Sequence, residues 1–112
     1  MILRVPFLWV DAITPFPWLI LVKSGMEGNK VLLAHEAVHQ AQMRRDGWLA
    51  FMARYATKKG RLAYEVEAYQ ESYRLDPSNL GFYADYLSSK YALGITLEQA
   101  KKMIKGQAVS PR

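Results

Sequence analysis

The chain has 112 residues, 51% hydrophobic and 22% charged, a composition typical of a single globular domain, here expected to span residues 1–112. It contains no cysteine, which excludes a disulfide framework and a thiolate metal site. The net charge of +5 is modest and no nucleic-acid-binding motif accompanies it, so we expect no nucleic acid among the partners.

The N-terminal segment is apolar but does not resemble a targeting signal. Pro6, Asp11 and Pro15 interrupt it, and no small-residue cleavage site follows. The apolar run at 18–22 is far shorter than the roughly 20 residues that a spanning helix needs. We therefore expect a soluble, cytoplasmic protein with no membrane among its partners.

Two short strands are predicted ahead of the helices. Residues 2–10 and 18–23 are rich in bulky apolar side chains, which favours β-structure. The prolines and Thr14 between them indicate a turn. The predicted fold class is therefore α+β, with a small N-terminal β-ribbon or sheet packed on a mainly helical domain.

Helix boundaries follow from caps, glycines and prolines in the sequence. Asn29 is the predicted N-cap of the first helix. Gly60 is expected to end the second helix and Pro77 the third, because the residue before a proline avoids helical geometry. Thr96 and Gln99 have the spacing of a capping box for the fifth helix. The predicted helices cover residues 30–45, 48–58, 61–75, 80–93 and 96–106, and residues 107–112 are expected to form a loose tail.

Residues 35–39 read His-Glu-Ala-Val-His within the first predicted helix. Positions four apart share one helical face, so His35 and His39 can both reach one tetrahedral zinc ion at about 2.0–2.1 Å. Glu36 lies about 100° further round the helix and flanks the ion instead of binding it. From there its carboxylate can act as the catalytic general base on a zinc-bound water, whose pKa the metal lowers to about 7.

A catalytic zinc site needs a third protein ligand and keeps one position open. The chain has only two histidines and no cysteine, so this third ligand is expected to be a carboxylate. Asp46 lies at the helix end, off the face of the histidines. The third predicted helix offers Glu65, Glu67 and Glu71. The first two of these lie about 200° apart and cannot both face the metal.

HExxH followed by a glutamate on a second helix resembles the gluzincin metallopeptidases, and the length is similar to that of the minigluzincins. Residues 64–69, Tyr-Glu-Val-Glu-Ala-Tyr, resemble the E-x-x-A-D glutamate helix of membrane-linked gluzincins. The resemblance implies a metallopeptidase that hydrolyses a peptide or protein substrate with zinc as its cofactor. Matching the two patterns makes Glu65 the third metal ligand, with Glu67 as the alternative.

Tyr69 departs from the family pattern, which often has an aspartate there to support a metal-bound histidine. The resemblance also implies an edge strand beside the active-site helix, for which residues 18–22 are a candidate; a plain core strand is the equally weighted alternative for them. It implies a further donor that stabilises the oxyanion during attack. The tyrosines that compete for this role are Tyr55, Tyr83, Tyr86 and Tyr91.

The segment after Pro77 is long for a minimal catalytic core. Family members of this size resemble proenzymes with a blocked cleft, so residues 78–112 are a candidate covering segment. The alternative function is therefore a latent or inactive metallopeptidase-like protein that binds zinc and acts by interaction.

Overall fold

A computed structural model of the chain describes residues 1–5, 8 and 11–107. These residues form a small N-terminal sheet followed by helices, which confirms the predicted α+β class. Among them, no helix is both long enough and apolar enough to cross a bilayer. In chain order the elements are β1 (Ile2–Val5), β2 (Ala12–Phe16), β3 (Leu19–Lys23), α1 (Lys30–Asp46), α2 (Trp48–Tyr55), α3 (Lys58–Leu75), a 3₁₀ turn (Pro77–Asn79), α4 (Leu80–Ser89) and α5 (Leu97–Ile104).

The sheet has the strand order β1-β3-β2, with β1 parallel and β2 antiparallel to β3. Strand β3 is therefore central, so for residues 18–22 the edge-strand alternative is wrong and the core-strand alternative is confirmed from Leu19 onward. Ile20 and Val22 of β3, two residues apart, share one face and are buried in the core. The first predicted strand is observed as β1 as far as Val5, and residues 6, 7, 9 and 10 of that prediction lie outside the described residues.

Strand β2 occupies residues that the sequence assigns to a turn, so that prediction is wrong. Pro15 is tolerated because β2 is an edge strand of the described sheet, where a missing N–H need not break the ladder. The pairing with β3 is irregular between Ile13 and Phe16. The turn itself is confined to residues 17–18. Strand β2 also packs on α1, which brings the sheet to the motif helix.

Helix α1 begins where the sequence predicts. The side chain of Asn29 accepts a hydrogen bond from the Leu32 N–H at 3.0 Å, which satisfies one of the free amides of the first turn. The helix ends because Gly47 takes a φ of 86°, a conformation that other residues rarely adopt. The chain then enters α2, where the Trp48 indole donates to the Pro15 carbonyl at 2.9 Å and ties α2 to the sheet.

The boundary between α2 and α3 differs from the prediction, since α2 ends at Tyr55 and Gly60 lies inside the first turn of α3. Thr57 is the N-cap of α3, and its hydroxyl accepts from the Gly60 N–H at 3.0 Å. A Cβ on Gly60 would collide with the carbonyl of Arg54. Glycine is therefore required here by the close approach of two successive helices and does not mark a helix end.

The C-terminal helices follow the prediction in part. Helix α3 ends just before Pro77, and α5 begins with both hydrogen bonds of the predicted capping box between Thr96 and Gln99. Helix α4 ends at Ser89, four residues earlier than predicted. In the linker that follows, Ala92 has a φ of 53°, far from the value of an α-helix.

The main hydrophobic core lies between α3 and the two C-terminal helices. Leu87 of α4 and Ile104 of α5 are 0% and 1% exposed. They pack in one cluster with Tyr69 of α3. Helix α3 thus presents one part of its surface to this core and another to α1.

Truncation of a core side chain should lower the stability of the fold. We expect Leu87→Ala to reduce the free energy of unfolding by about 2–5 kcal/mol, because its cavity cannot fill with water or close completely. Denaturant unfolding measures this. Leu49→Ala is the control, since Leu49 is 75% exposed and its truncation should cost less than about 0.5 kcal/mol. Equal losses in both variants would contradict the described core.

Candidate metal centre

Helices α1 and α3 pack against each other along the face that carries the motif histidines. Both imidazoles, one turn apart on α1, face Glu65 of α3. Nε2 of His35 lies 3.2 Å from Glu65 Oε1, and Nε2 of His39 lies 3.2 Å from Glu65 Oε2. The three side chains are only 2–6% exposed. The ligands predicted from the sequence therefore converge in the interior of the protein.

Glu65 is the candidate carboxylate that the structure brings to the histidines, and no other carboxylate of the described residues joins this group. Glu67 lies on another face of α3 and pairs with Arg45 at 3.2 Å. Glu71 and Asp46 are also paired with arginines. Glu65 and Glu67 therefore point to different sides of α3, as their separation of about 200° around the helix axis requires.

The geometry of the three side chains suits a small cation that prefers nitrogen and oxygen ligands. Their ligand atoms all lie within 4.8 Å of one another. Two bonds of about 2.0–2.1 Å at a tetrahedral angle place ligand atoms roughly 3.3 Å apart; the observed nitrogen–oxygen separations are 3.2 Å. Glu65 Oε1 has no hydrogen-bond partner among the described residues, although buried polar atoms ordinarily have one. A metal ion between these atoms would satisfy it.

The charges of the cluster depend on one another. Burial alone would lower the pKa of His39, but the carboxylate of Glu65 outweighs this and raises it to about 9. Burial likewise acts to raise the pKa of Glu65, and the two histidines outweigh it, so that this pKa lies well below its usual range. The protonated imidazole thus compensates the buried carboxylate. A metal cation at the same place would provide the same compensation.

Glu36 flanks the cluster, as its position on the helix predicts. It is 6% exposed, and its Oε2 lies 3.9 Å from His35 Nε2. Its other oxygen, Oε1, accepts a hydrogen bond of 2.8 Å from the hydroxyl of Thr14 on β2. Thr14 is itself buried, so the carboxylate is positioned from both the helix and the sheet. One oxygen is held in place and the other lies near the metal ligands.

Thr14 is a residue of the site that the sequence reasoning misses. The prolines on either side of Phe16 indicate a turn, and this signal outweighs the β-branched pair Ile13-Thr14, which favours a strand. In the structure Thr14 is the one buried residue of β2. The β-branched pair was the available signal for a strand. It is compatible with the neighbouring Pro15 only if that strand lies at the edge of the sheet.

Gln42 is a second buried polar residue that contacts the cluster. It is 1% exposed, and its Oε1 lies 2.8 Å from Nδ1 of His39. Its amide nitrogen donates to the Tyr64 carbonyl at 3.0 Å and to Glu67 Oε1 at 2.8 Å. It follows His39 by three residues on α1, a spacing at which side chains meet. The three-residue spacing of His39 and Gln42 was the signal in the sequence that could have indicated their contact.

Tyr55, Tyr69 and Tyr91 lie around the candidate metal ligands. The Tyr55 hydroxyl donates to Glu65 Oε2 at 2.5 Å. The ring of Tyr69 packs on that of His35 with centroids 4.4 Å apart, and its hydroxyl shares a hydrogen bond of 2.8 Å with that of Tyr91. Burial and the negative charge of Glu65 raise the pKa of Tyr55 and Tyr91 far above the ordinary value. Both groups therefore stay neutral phenols.

The four tyrosines considered as oxyanion donors have different partners in the structure. Tyr83 donates to Asp76 at 3.1 Å, and Tyr86 packs against Phe82, so both are engaged elsewhere. Of the four, Tyr55 is the one whose hydroxyl bonds a candidate metal ligand, Glu65, directly.

Tyr69 lies where the family pattern has an aspartate, but it makes a different contact. Its hydroxyl is engaged with Tyr91, and Nδ1 of His35 has no hydrogen-bond partner among the residues that the structure describes. His35 is therefore oriented by packing on an aromatic ring, whereas the aspartate of the family pattern would bring a charge.

Comparison with known proteins adds no assignment. The chain matches no family model, no curated protein and no solved structure. The resemblance to gluzincins therefore rests on the HExxH motif and the glutamate helix of the sequence alone.

The hydrogen bond between Thr14 and Glu36 should be measurable as stability. Thr14→Val keeps the shape but leaves Glu36 Oε1 without its donor, and we expect a loss of about 1–3 kcal/mol in the free energy of unfolding. Ile13→Val on the same strand is the control and should cost no more than about 0.5 kcal/mol, since Ile13 is 39% exposed. A Thr14→Val variant as stable as this control would show that the hydrogen bond does not hold Glu36.

Proposed function

We propose that the chain is a compact, gluzincin-like zinc metallopeptidase that hydrolyses peptide bonds. The observation that carries the proposal is the buried convergence of His35, His39 and Glu65, with Glu36 beside them. Burying a carboxylate and two imidazoles costs free energy, and such groups rarely add stability over an apolar core. A role in metal binding accounts for the arrangement better than a role in stability does.

The set of donors favours zinc. Two imidazoles and one glutamate form a three-ligand set typical of catalytic zinc sites, whereas structural sites close with four protein ligands. Among the described residues the cluster offers three ligands, and the chain has no cysteine to close it. When bound, zinc polarises the scissile carbonyl and lowers the pKa of a water to about 7.

Glu36 is the proposed general base. Thr14 holds its Oε1, while Oε2 lies 3.9 Å from His35 Nε2, on the side of the metal ligands. In the reaction, Oε2 takes a proton from the water whose oxygen attacks the peptide carbonyl. It then gives this proton to the amine nitrogen as the carbon–nitrogen bond breaks. The carboxylate is thereby regenerated with each turnover.

Tyr55 and β2 supply the remaining parts of the proposed site. The Tyr55 phenol stays neutral, so it could donate its one proton to a developing oxyanion if it turned away from Glu65 Oε2, to which it now donates. Strand β2, rather than residues 18–22, is the edge strand that contacts α1. An extended substrate would therefore pair with β2 by strand addition.

A second candidate is a latent or inactive form of the same site, which binds zinc and acts by interaction. Burial favours it, because the ligands and Glu36 are at most 6% exposed and leave little room for a substrate. Tyr91 belongs to the linker between α4 and α5, inside the expected covering segment, and its hydroxyl contacts Tyr69 beside His35. The Tyr91 carbonyl accepts from Arg61 at 2.8 Å, which anchors this linker next to the site.

Replacing the base should abolish hydrolysis without removing the metal. For Glu36→Gln we expect peptide cleavage to fall by about 10²–10⁴-fold, because the proton acceptor is lost. Zinc should remain bound stoichiometrically, since Glu36 is not a ligand. Glu71→Gln, which alters a glutamate paired with Arg74, is the matched control and should change neither quantity. Wild-type protein that binds no zinc, or full activity in Glu36→Gln, would contradict the proposed mechanism.

Latency makes a separate prediction about the linker between α4 and α5. Tyr91→Ala removes the contact with Tyr69, so we expect peptide hydrolysis to rise several-fold while the zinc content stays the same. Tyr86→Ala, a nearby tyrosine that packs against Phe82, is the control. If both variants cleave peptide at the wild-type rate, this linker does not block the site.

A further inference from the structure

The orientation of the Gln42 carboxamide is determined by its neighbours. Its nitrogen faces the Tyr64 carbonyl at 3.0 Å and Glu67 Oε1 at 2.8 Å. A carbonyl oxygen has no proton to donate, and neither does an ionised carboxylate, so both require the NH₂ group opposite them. Exchanging the amide nitrogen and oxygen would place two pairs of acceptors in contact. The Gln42 oxygen must therefore be the atom that faces His39.

This orientation determines where the His39 proton lies. Nδ1 of His39 is 2.8 Å from Gln42 Oε1, an atom that only accepts hydrogen bonds. Nδ1 therefore carries a proton whether the imidazole is neutral or charged. In the neutral ring the electron pair is left on Nε2, the atom that lies 3.2 Å from Glu65.

We propose that Gln42 is a positioning residue for the zinc ligand His39, and that the Tyr64 carbonyl and Glu67 hold Gln42 in place. It directs the Nε2 electron pair at the metal and limits rotation of the ring, which is the general role of outer-sphere partners. The part of this inference that concerns zinc rests on the proposed function. The hydrogen bond to Nδ1 does not depend on it.

Glu67, which lies away from the candidate metal ligands, helps to hold Gln42 in place. Glu67 is 46% exposed, accepts from Gln42 and is paired with Arg45. A chain of hydrogen bonds thus leads from His39 through Gln42 to the protein surface. His35 has no comparable partner, because its Nδ1 is without a hydrogen bond among the described residues. The two histidines of the site are therefore held by different means.

Zinc affinity tests the positioning role. We expect Gln42→Ala to weaken zinc binding by about 10–100-fold, measured by competition with a chelator. Gln40→Ala is the matched control, because Gln40 lies on the same helix and makes no side-chain hydrogen bond among the described residues; it should bind zinc like the wild type. Glu67→Ala keeps the oxygen that faces His39 and should weaken binding less than Gln42→Ala. Equal affinities of Gln42→Ala and Gln40→Ala would overturn the proposal.

Nitrogen-15 NMR of the histidine side chains provides a readout that a purely structural role would not change. In the wild-type protein, with and without zinc, we expect the proton on His39 Nδ1 to exchange slowly with water, and we expect faster exchange in Gln42→Ala, which has no side-chain oxygen to accept it. If Gln42→Ala does not fold, the wild-type spectrum decides alone, since a His39 Nδ1 proton that exchanges as fast as that of His35, whose Nδ1 has no hydrogen-bond partner among the described residues, would overturn the proposal. If the Nδ1 proton is present but no zinc binds, the proposed function fails and the hydrogen-bond assignment stands.

Discussion

The structure depends on the buried carboxylate of Glu65, which lies between two imidazoles where α1 and α3 meet. A charged group that is 2% exposed is costly unless its partners compensate it, and here the two histidines of α1 face it. Both histidines reach it because they are four residues apart on one helix. Removing Glu65 or His39 leaves the other without its closest charged partner in the interior. Helix packing and the proposed chemistry are therefore linked at this contact.

The rest of the interior supports this cluster from several directions. The sheet reaches Glu36 through Thr14, whereas α1 and α3 together hold His39 through Gln42. The linker before α5 contributes Tyr91, which bonds the tyrosine packed on His35. Of the buried polar residues that the structure describes, all but Ser72 belong to the site. Nearly all of these buried polar groups therefore lie in one cluster, where they hold one another in place. A preorganised site requires such supporting contacts.

Features that arise within one or two helical turns could be predicted from the sequence. The Asn29 cap, the Thr96 capping box and the shared face of the motif histidines are all of this kind. Glu65 followed from a family pattern, and the structure places it accordingly. Thr14 could not be predicted, since its partner lies 22 residues away and two prolines suggest a turn. Gly60 was misinterpreted for a similar reason, because its crowding against Arg54 exists only once two helices are folded.

Anomalous diffraction at the zinc absorption edge, on crystals of the zinc-loaded protein, would locate the ion directly. We expect one peak within about 2.0–2.2 Å of Nε2 of His35, Nε2 of His39 and an oxygen of Glu65. Its strength should fall to background in Glu65→Gln crystals grown under the same conditions. A zinc peak at any other group of residues, with none at this cluster, would contradict the account.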